Sequence, residues 1–563
     1  MAPTLHPGPI DAHPARSGVL RRVHAAAVER PLDLTLRVLL ATLGAGRSGR
    51  GARPCTTPPR TLIPPRPVFT PRVQFVADRD GEACLEFPGA RIPLASPFDW
   101  RLWEDAGGPD RPAYQLHAFA WCEALDDAAF QAVVLDWIAV ADPARGARGV
   151  WTPALLAERA LSWMAEVARR RRRLAPGFLD ALDASLAAQL RALALRADAD
   201  RGGCRLLSSA AALCWAGATY GGVEADRWAA RGRGLLEREL TRAFRPDGLH
   251  ASGSAALQAE ALAHLLTVRA VTPPGTLCAA LDDVLARGAQ ALADLTHPDG
   301  AVSLLRAGRL HPARLPGEVL DAVEQALGVR SVARDRFVLS DAGLCGARRG
   351  QSLVVADCGW SELAAARGRP GAGLLDFEWT VAGERLVVGL GASAGTTAAA
   401  RTRMGPDTLD LDGGAERGLW AGLRAGRRAG ARRTTLQPID GGFVLEAVHD
   451  GYEHLRGEPL LRRRLWATPE AIEIVERVEG GAGQLARSRL LLHPLCRVVT
   501  DADGVLTLRR GRALARVVAE TPIAIEDATW FPDHGERVAT RQLVVTHGAA
   551  PCVAGIRLRA ISP

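Results

Sequence analysis

Apolar and polar residues alternate along this chain with two different periods. Between about residues 114 and 327, Ala and Leu recur every three to four positions in runs broken by short Gly, Pro and Asp segments, which predicts successive amphipathic helices. The clearest lie near 128–141, 153–173, 178–198, 207–220, 225–244, 254–270 and 275–296. From Phe337 onward the period falls to two. Short strands are expected at 337–339, 352–357, 377–381, 385–389 and 408–411, then through 441–494, where Ile472, Glu473, Ile474, Val475, Glu476, Arg477 and Val478 alternate between glycine turns. Ahead of the helices, 18–44 reads as one or two amphipathic helices, 54–71 as an extended proline-rich connector and 73–93 as a strand pair.

A chain of 563 residues exceeds one ordinary core, so several domains are expected. The period change places them at 1–72 (helical segment and linker), 73–330 (helical domain) and 336–563 (strand domain). The net charge of +8 rests on 70 basic residues, all arginine, and the chain contains neither lysine nor asparagine. Guanidinium groups suit carboxylate or sulfate partners, and the missing asparagine means that no such amide can serve in catalysis. The densest basic run, Arg169 to Arg173, ends a predicted helix and reads as a solvated cap. No nucleic-acid reader motif accompanies it. Ten cysteines stand singly without metal-ligand spacing, so no metal or other cofactor is expected and they read as buried thiols in a reducing compartment. With no secretory signal and no apolar run long enough to span a bilayer, a cytoplasmic location is expected.

Several phrases resemble the heparinase II/III family: FDW at Phe98 to Trp100, LHAFAW at Leu116 to Trp121, WTPALLAERALSW at Trp151 to Trp163, RGLLERELTRAFRPDGLH at Arg233 to His250, LTHPDGAVSLL at Leu295 to Leu305, and HDGY at His449 to Tyr452. Their order and spacing cover roughly residues 75–563. The resemblance implies an incomplete (α/α) toroid followed by a large antiparallel β-sandwich, an α+β multidomain architecture, and eliminative cleavage of an acidic, uronate-containing polysaccharide. That reaction needs the C6 carboxylate neutralised, the C5 proton abstracted and the leaving O4 protonated.

By the same resemblance, an asparagine, a tyrosine and two histidines would do this work. At the asparagine place stands Cys204, followed by Arg205, either a substitute for the amide or a surface residue. His250 is present, either as a catalytic group or as a turn residue, but the tyrosine place reads Leu257. The two sandwich histidine places read as Gly371, within the Arg369 to Gly373 phrase, and Pro406, followed by Asp407. Of three tyrosines, Tyr220 reads as core, Tyr114 is placed to face the toroid cleft, and Tyr452 in the HDGY turn, beside His449 and His454, is with His250 the remaining acid or base candidate. Arg159, Arg205, Arg306, Arg369, Arg401 and Arg403 are the expected anion-binding set. The expected function is a diverged lyase with weak or lost activity, or else a non-catalytic anionic-glycan-binding or scaffolding protein. A third reading, inverting glycoside hydrolysis, would require two of Glu158, Asp136 and Glu260 to face one cleft.

Overall fold

A computed structural model describes residues 112–561 apart from 142–147, 200–202, 307, 311–314, 359–374, 392–408, 413–430, 451, 502–504 and 534–535. Ahead of these it describes 60–61, 74–77, 83–87, 90–93 and Trp100. The helices expected over 18–44 lie outside the described residues. So does most of the 54–71 connector, of which β1 (Arg60–Thr61) pairs with β5 (Tyr220–Gly221). The strand pair expected at 73–93 is a three-stranded antiparallel sheet of β2 (Gln74–Ala77), β3 (Ala83–Phe87) and β4 (Ala90–Pro93).

The helical region comprises α1 (Pro112–Ala118), α2 (Asp127–Val140), α3 (Pro153–Arg170), α4 (Pro176–Arg196), α5 (Cys204–Thr219), α6 (Val223–Ala243), α7 (Ala255–Arg269), α8 (Thr276–Asp294) and α9 (Pro316–Leu327). Odd-numbered helices pack on odd-numbered ones and even on even, while α3–α4, α5–α6 and α7–α8 form hairpins. This double row is the (α/α) toroid, with α1, α3, α5, α7 and α9 inside. Composition explains the allocation. Helix α5 is almost wholly apolar or small (CRLLSSAAALCWAGAT) and is buried on nearly every face, whereas α6 carries an arginine- and glutamate-rich face to solvent.

The α5–α6 hairpin is close because glycines sit where the helices cross. A Cβ on Gly232 would lie 2.7 Å from the Cys214 sulfur and 2.8 Å from its backbone nitrogen. Alanine normally favours a helix over glycine by about 1 kcal/mol. Here Gly232→Ala is expected to reverse that and destabilise by about 1–3 kcal/mol through overpacking, read as a lowered urea midpoint. An unchanged midpoint would mean that the hairpin yields freely.

One expectation is corrected at the end of α3. The Arg169 to Arg173 run is not a solvated cap. Arg170 is buried, bonds Glu166 at 2.6 Å and donates to the carbonyls of Leu125, Cys122 and Glu123, while Arg169 and Arg173 hold Glu123 and Asp127. The run staples α3 to the segment ahead of α2. Among the described residues no helix is long and apolar enough to cross a membrane.

The sandwich begins with a five-stranded antiparallel sheet, β6 (Arg336–Leu339), β7 (Leu344–Arg349), β8 (Ser352–Asp357), β9 (Phe377–Val381) and β10 (Glu384–Val387), in the order 10-9-8-7-6. A four-stranded sheet (β11 Leu409–Leu411, β16 Leu485–Leu491, β21 Val538–Ala549, β20 Ile523–Trp530) continues this layer through a Val387–Leu492 bridge. The opposing layer has eight strands, ordered β12 (Ala431–Ile439), β13 (Gly442–His449), β14 (Leu460–Ala467), β15 (Ala471–Glu479), β22 (Cys552–Ala560), β19 (Ala513–Ala519), β18 (Leu506–Arg510) and β17 (Arg497–Thr500). The alternation in 471–479 is what such a strand requires: Ile472, Ile474, Glu476 and Val478 are buried and the residues between them less so.

Strand β8 is apolar without alternation because both of its faces are covered. Leu353 and Val355 join the toroid core, while Val354 and Ala356 join the sandwich core. In β9, Phe377 and Trp379 enter the sandwich, and Glu378 and Thr380 point the other way to meet the toroid. The five-stranded sheet is thus a wall shared by both parts.

Candidate functional site

The toroid meets this wall through the turn at His297 to Val302, formed because Pro298, Asp299 and Gly300 cannot continue α8. His297 is fully buried. Its Nδ1 lies 2.7 Å from the Thr380 hydroxyl and its Nε2 lies 3.0 Å from Glu378. Glu378 also accepts the backbone N–H groups of Leu304 and Gly389, each at 3.0 Å. Burial alone would raise the Glu378 carboxyl, but the hydrogen bond from His297, with Arg385 nearby, holds it at about 2. Burial, aided by Arg385, lowers the imidazole of His297, so it sits neutral with its Nε2 proton on the carboxylate. Arg385 completes the joint with a two-pronged pair to Asp299 at 2.7 and 3.0 Å.

Beside this joint, the N-terminal ends of α5 and α7 bring together three positions that lie far apart in the chain. The Cys204 thiol donates to the Leu257 carbonyl at 3.3 Å and lies 4.0 Å from His250 Nε2. His250 is buried, and its Nδ1 accepts from the Ser252 backbone N–H at 3.2 Å, with the Ser252 hydroxyl at 2.8 Å. A backbone N–H only donates, so Nδ1 carries the lone pair and Nε2 the proton facing sulfur. Gln258 fixes the turn by accepting from His250 N at 2.5 Å and donating to the carbonyls of Gly248 and Gly288. At the same helix end, Gly203 N donates to the buried carboxylate of Glu239, which sits where the α5 dipole favours an anion.

The structure thus gathers Cys204, His250 and Leu257, and disperses most other candidates. Tyr452 is buried in a small apolar cluster with Leu409, Leu411, Leu461 and Val478, inside the sandwich. Tyr220 donates to Asp183 at 2.9 Å within the toroid, and Tyr114 lies in the toroid core rather than facing the cleft. His449 is buried, which lowers its imidazole to about 4 and keeps it neutral.

The arginine set divides. Arg159 has no exposure. Its guanidinium donates to Gln189 at 2.7 Å and to the carbonyls of His117 and Val150, each at 3.1 Å, and stacks 4.1 Å over Trp137. Arg306 packs against Gly253, holds Asp357 through two 2.8 Å bonds and caps the carbonyls of Ala342 and Gly343. Both guanidinium groups face inward, so neither is presented to a ligand. Arg205 is exposed on the first turn of α5. Arg369, Arg401 and Arg403 lie outside the described residues, as do Gly371, Pro406 and Asp407.

Of the three carboxylates considered for hydrolysis, Asp136 accepts from the Trp100 indole at 2.9 Å, and Glu260 is paired with Arg309. Glu158 accepts from Ser208 at 2.6 Å and lies 3.7 Å from His264. Ser208 and His264 escaped the sequence reading because helix periodicity alone does not say that α3 and α7 meet across α5. No group of three or more His, Cys, Asp or Glu side chains among the described residues has an arrangement that holds a metal.

This architecture, with inner helix ends facing an antiparallel sandwich, defines a toroid-plus-sandwich protein. The structure is similar to heparinase III (TM-score 0.61, 14% identity, covering 80% of this chain and 76% of that one). It is also similar to a second heparinase III (0.59, 14%, 83% and 81%) and to a mutant of a heparan sulfate lyase from Pedobacter heparinus (0.56, 14%, 97% and 91%). Residues 331–555 match the family model for the heparinase II/III-like C-terminal domain. The chain as a whole has the heparinase III fold. Comparison with curated proteins gives no match.

Proposed function

We propose that the protein engages an acidic, uronate-containing polysaccharide in the groove where the inner helix ends meet the sandwich, as a diverged lyase whose β-elimination is weak or lost. One observation carries the reading. The positions where the family resemblance calls for an amide and a tyrosine meet at the Cys204 thiol, which bonds the Leu257 carbonyl and lies 4.0 Å from His250, yet their side chains are a thiol and a hydrocarbon. Leu257 cannot exchange a proton, and the lone pair of His250 faces Ser252 rather than the thiol. All three tyrosines of the chain are buried away from this cluster, so none is placed to protonate a leaving oxygen. The exposed Arg205 beside Cys204 favours retained binding of anionic glycan without cleavage.

The test is incubation of the purified protein with heparan, alginate, hyaluronan and bacterial exopolysaccharides while following unsaturated-uronate absorbance. No growth of absorbance is expected, together with salt-sensitive binding to at least one of these polymers. Robust turnover would overturn the loss of elimination, and absence of binding to every anionic glycan would overturn the substrate class.

A further inference from the structure

The concave side of the toroid carries a second polar constellation. Helices α3, α5 and α7 are successive members of the inner row, so α3 and α7 do not adjoin. Packed helix axes lie roughly 8–10 Å apart, which would put α3 and α7 out of side-chain reach in a flat row. Glu158 of α3 and His264 of α7 nonetheless approach to 3.7 Å, directly over Ser208 of α5, whose hydroxyl bonds the same Glu158 oxygen at 2.6 Å. Such a bridge forms only on the inside of a strongly curved row, since the outer face is covered by the even-numbered helices.

The constellation is continuous with the groove. Ser208 stands one turn, about 6 Å, along α5 from Cys204, and His264 stands two turns, about 10 Å, along α7 from Leu257. Glu158 is 35% exposed and His264 15%, so this floor is open enough to be touched. Its charge is opposite to that expected of an arginine-lined groove. Glu260, one turn before His264, is neutralised by Arg309, while among the described residues no arginine pairs with Glu158. Ser208 spends its proton on Glu158. The floor therefore offers acceptors, which suits hydroxyl or ammonium donors and repels carboxylate or sulfate.

We propose that Glu158, held by Ser208 and His264, is a subsite for a non-anionic sugar unit whose ring hydroxyls, or an ammonium, donate to its carboxylate. This rests on the reading that the groove takes a polysaccharide. It adds that the units lying over the inner helices are uncharged or cationic, with acidic units left to the mouth near Arg205.

The test measures binding of three tetrasaccharides, cellotetraose, a glucosamine tetramer and an oligogalacturonate, to the full chain and to Glu158→Gln and Ser208→Ala. Glutamine keeps the shape and still accepts from Ser208, and thermal melts check that both variants fold. At least one non-anionic tetramer is expected to bind and to weaken about ten-fold or more in Glu158→Gln, with a smaller loss in Ser208→Ala. Tighter binding of the glucosamine tetramer would assign an ammonium, and similar binding of the two would assign hydroxyls. Unchanged non-anionic binding in Glu158→Gln overturns the subsite. Binding of the oligogalacturonate alone overturns it too, while leaving the acidic-glycan reading intact. Non-anionic binding that depends on Glu158, without any anionic binding, sinks the acidic-glycan reading and keeps the subsite. Failure of all three probes removes the subsite, and the acidic-glycan reading falls with it only if the anionic polymers named above also fail to bind.

Discussion

Glu378→Gln is expected to lower stability at neutral pH by about 3–5 kcal/mol, seen as an early, shifted urea transition. The glutamine amide must direct N–H groups at a pocket that already supplies donors from Leu304, Gly389 and His297. The acid dependence follows from the same contacts. The carboxyl is held at about 2, below its ordinary 4.5. Its contribution is complete above about pH 4.5 and disappears as the pH falls towards 2, a loss on the order of 3 kcal/mol. The lowered imidazole of His297 acts in the same direction. The unfolded chain takes up that proton below about pH 6.5 while the folded one resists it. Denaturation profiles from pH 7 to 2 should therefore fall steeply for the native protein and more gently for Glu378→Gln. A variant as stable as the native protein at pH 7, or a native profile flat between pH 4.5 and 2, would contradict this account of the joint.

Arg159→Ala is the second large effect, and it separates two roles for one residue. A ligand-binding arginine would lose affinity on truncation and leave the fold intact. The observed arginine is a buried cation with three neutral hydrogen-bond partners and an indole beneath it. Burial lowers its pKa to about 9, which still leaves it charged at neutral pH. Its removal orphans the Gln189 oxygen and two carbonyls and opens a cavity beside Trp137. A loss of about 3–5 kcal/mol is expected, with glycan binding at low temperature unchanged in whatever fraction stays folded. Reduced affinity at unchanged melting temperature would restore Arg159 to the groove.

Much of the architecture was legible in the chain because its causes are local. The switch from helical to two-residue periodicity falls between Leu327 and Arg336, where α9 ends and β6 begins. The strands expected at 352–357 and 377–381 have those bounds. Helices α1 and α9 were not distinguished individually, being short segments inside a long helical stretch. The convergence of Cys204, His250 and Leu257 was anticipated only through the family resemblance, since residues 46 and 53 positions apart carry no spacing signal of contact. The arginines show the limit of composition. Charge counts predict an affinity for anions, but Arg159 and Arg306 satisfy carbonyls and a carboxylate within the fold, a use that depends on distant segments. Glu158 was considered on its own merits as a helix carboxylate; its link to His264 exists only because the inner row curves.

The two-faced β8 bears on how this protein can be divided. A boundary drawn by sequence similarity isolates residues 331–555 as a module. Physically, that cut would strip the toroid from Phe337, Leu353 and Val355 and leave an apolar plane in water. Neither half owns the plane, so the expected consequence is a single cooperative unit: expressed separately, the halves should aggregate, and co-expressed they should find each other through that surface.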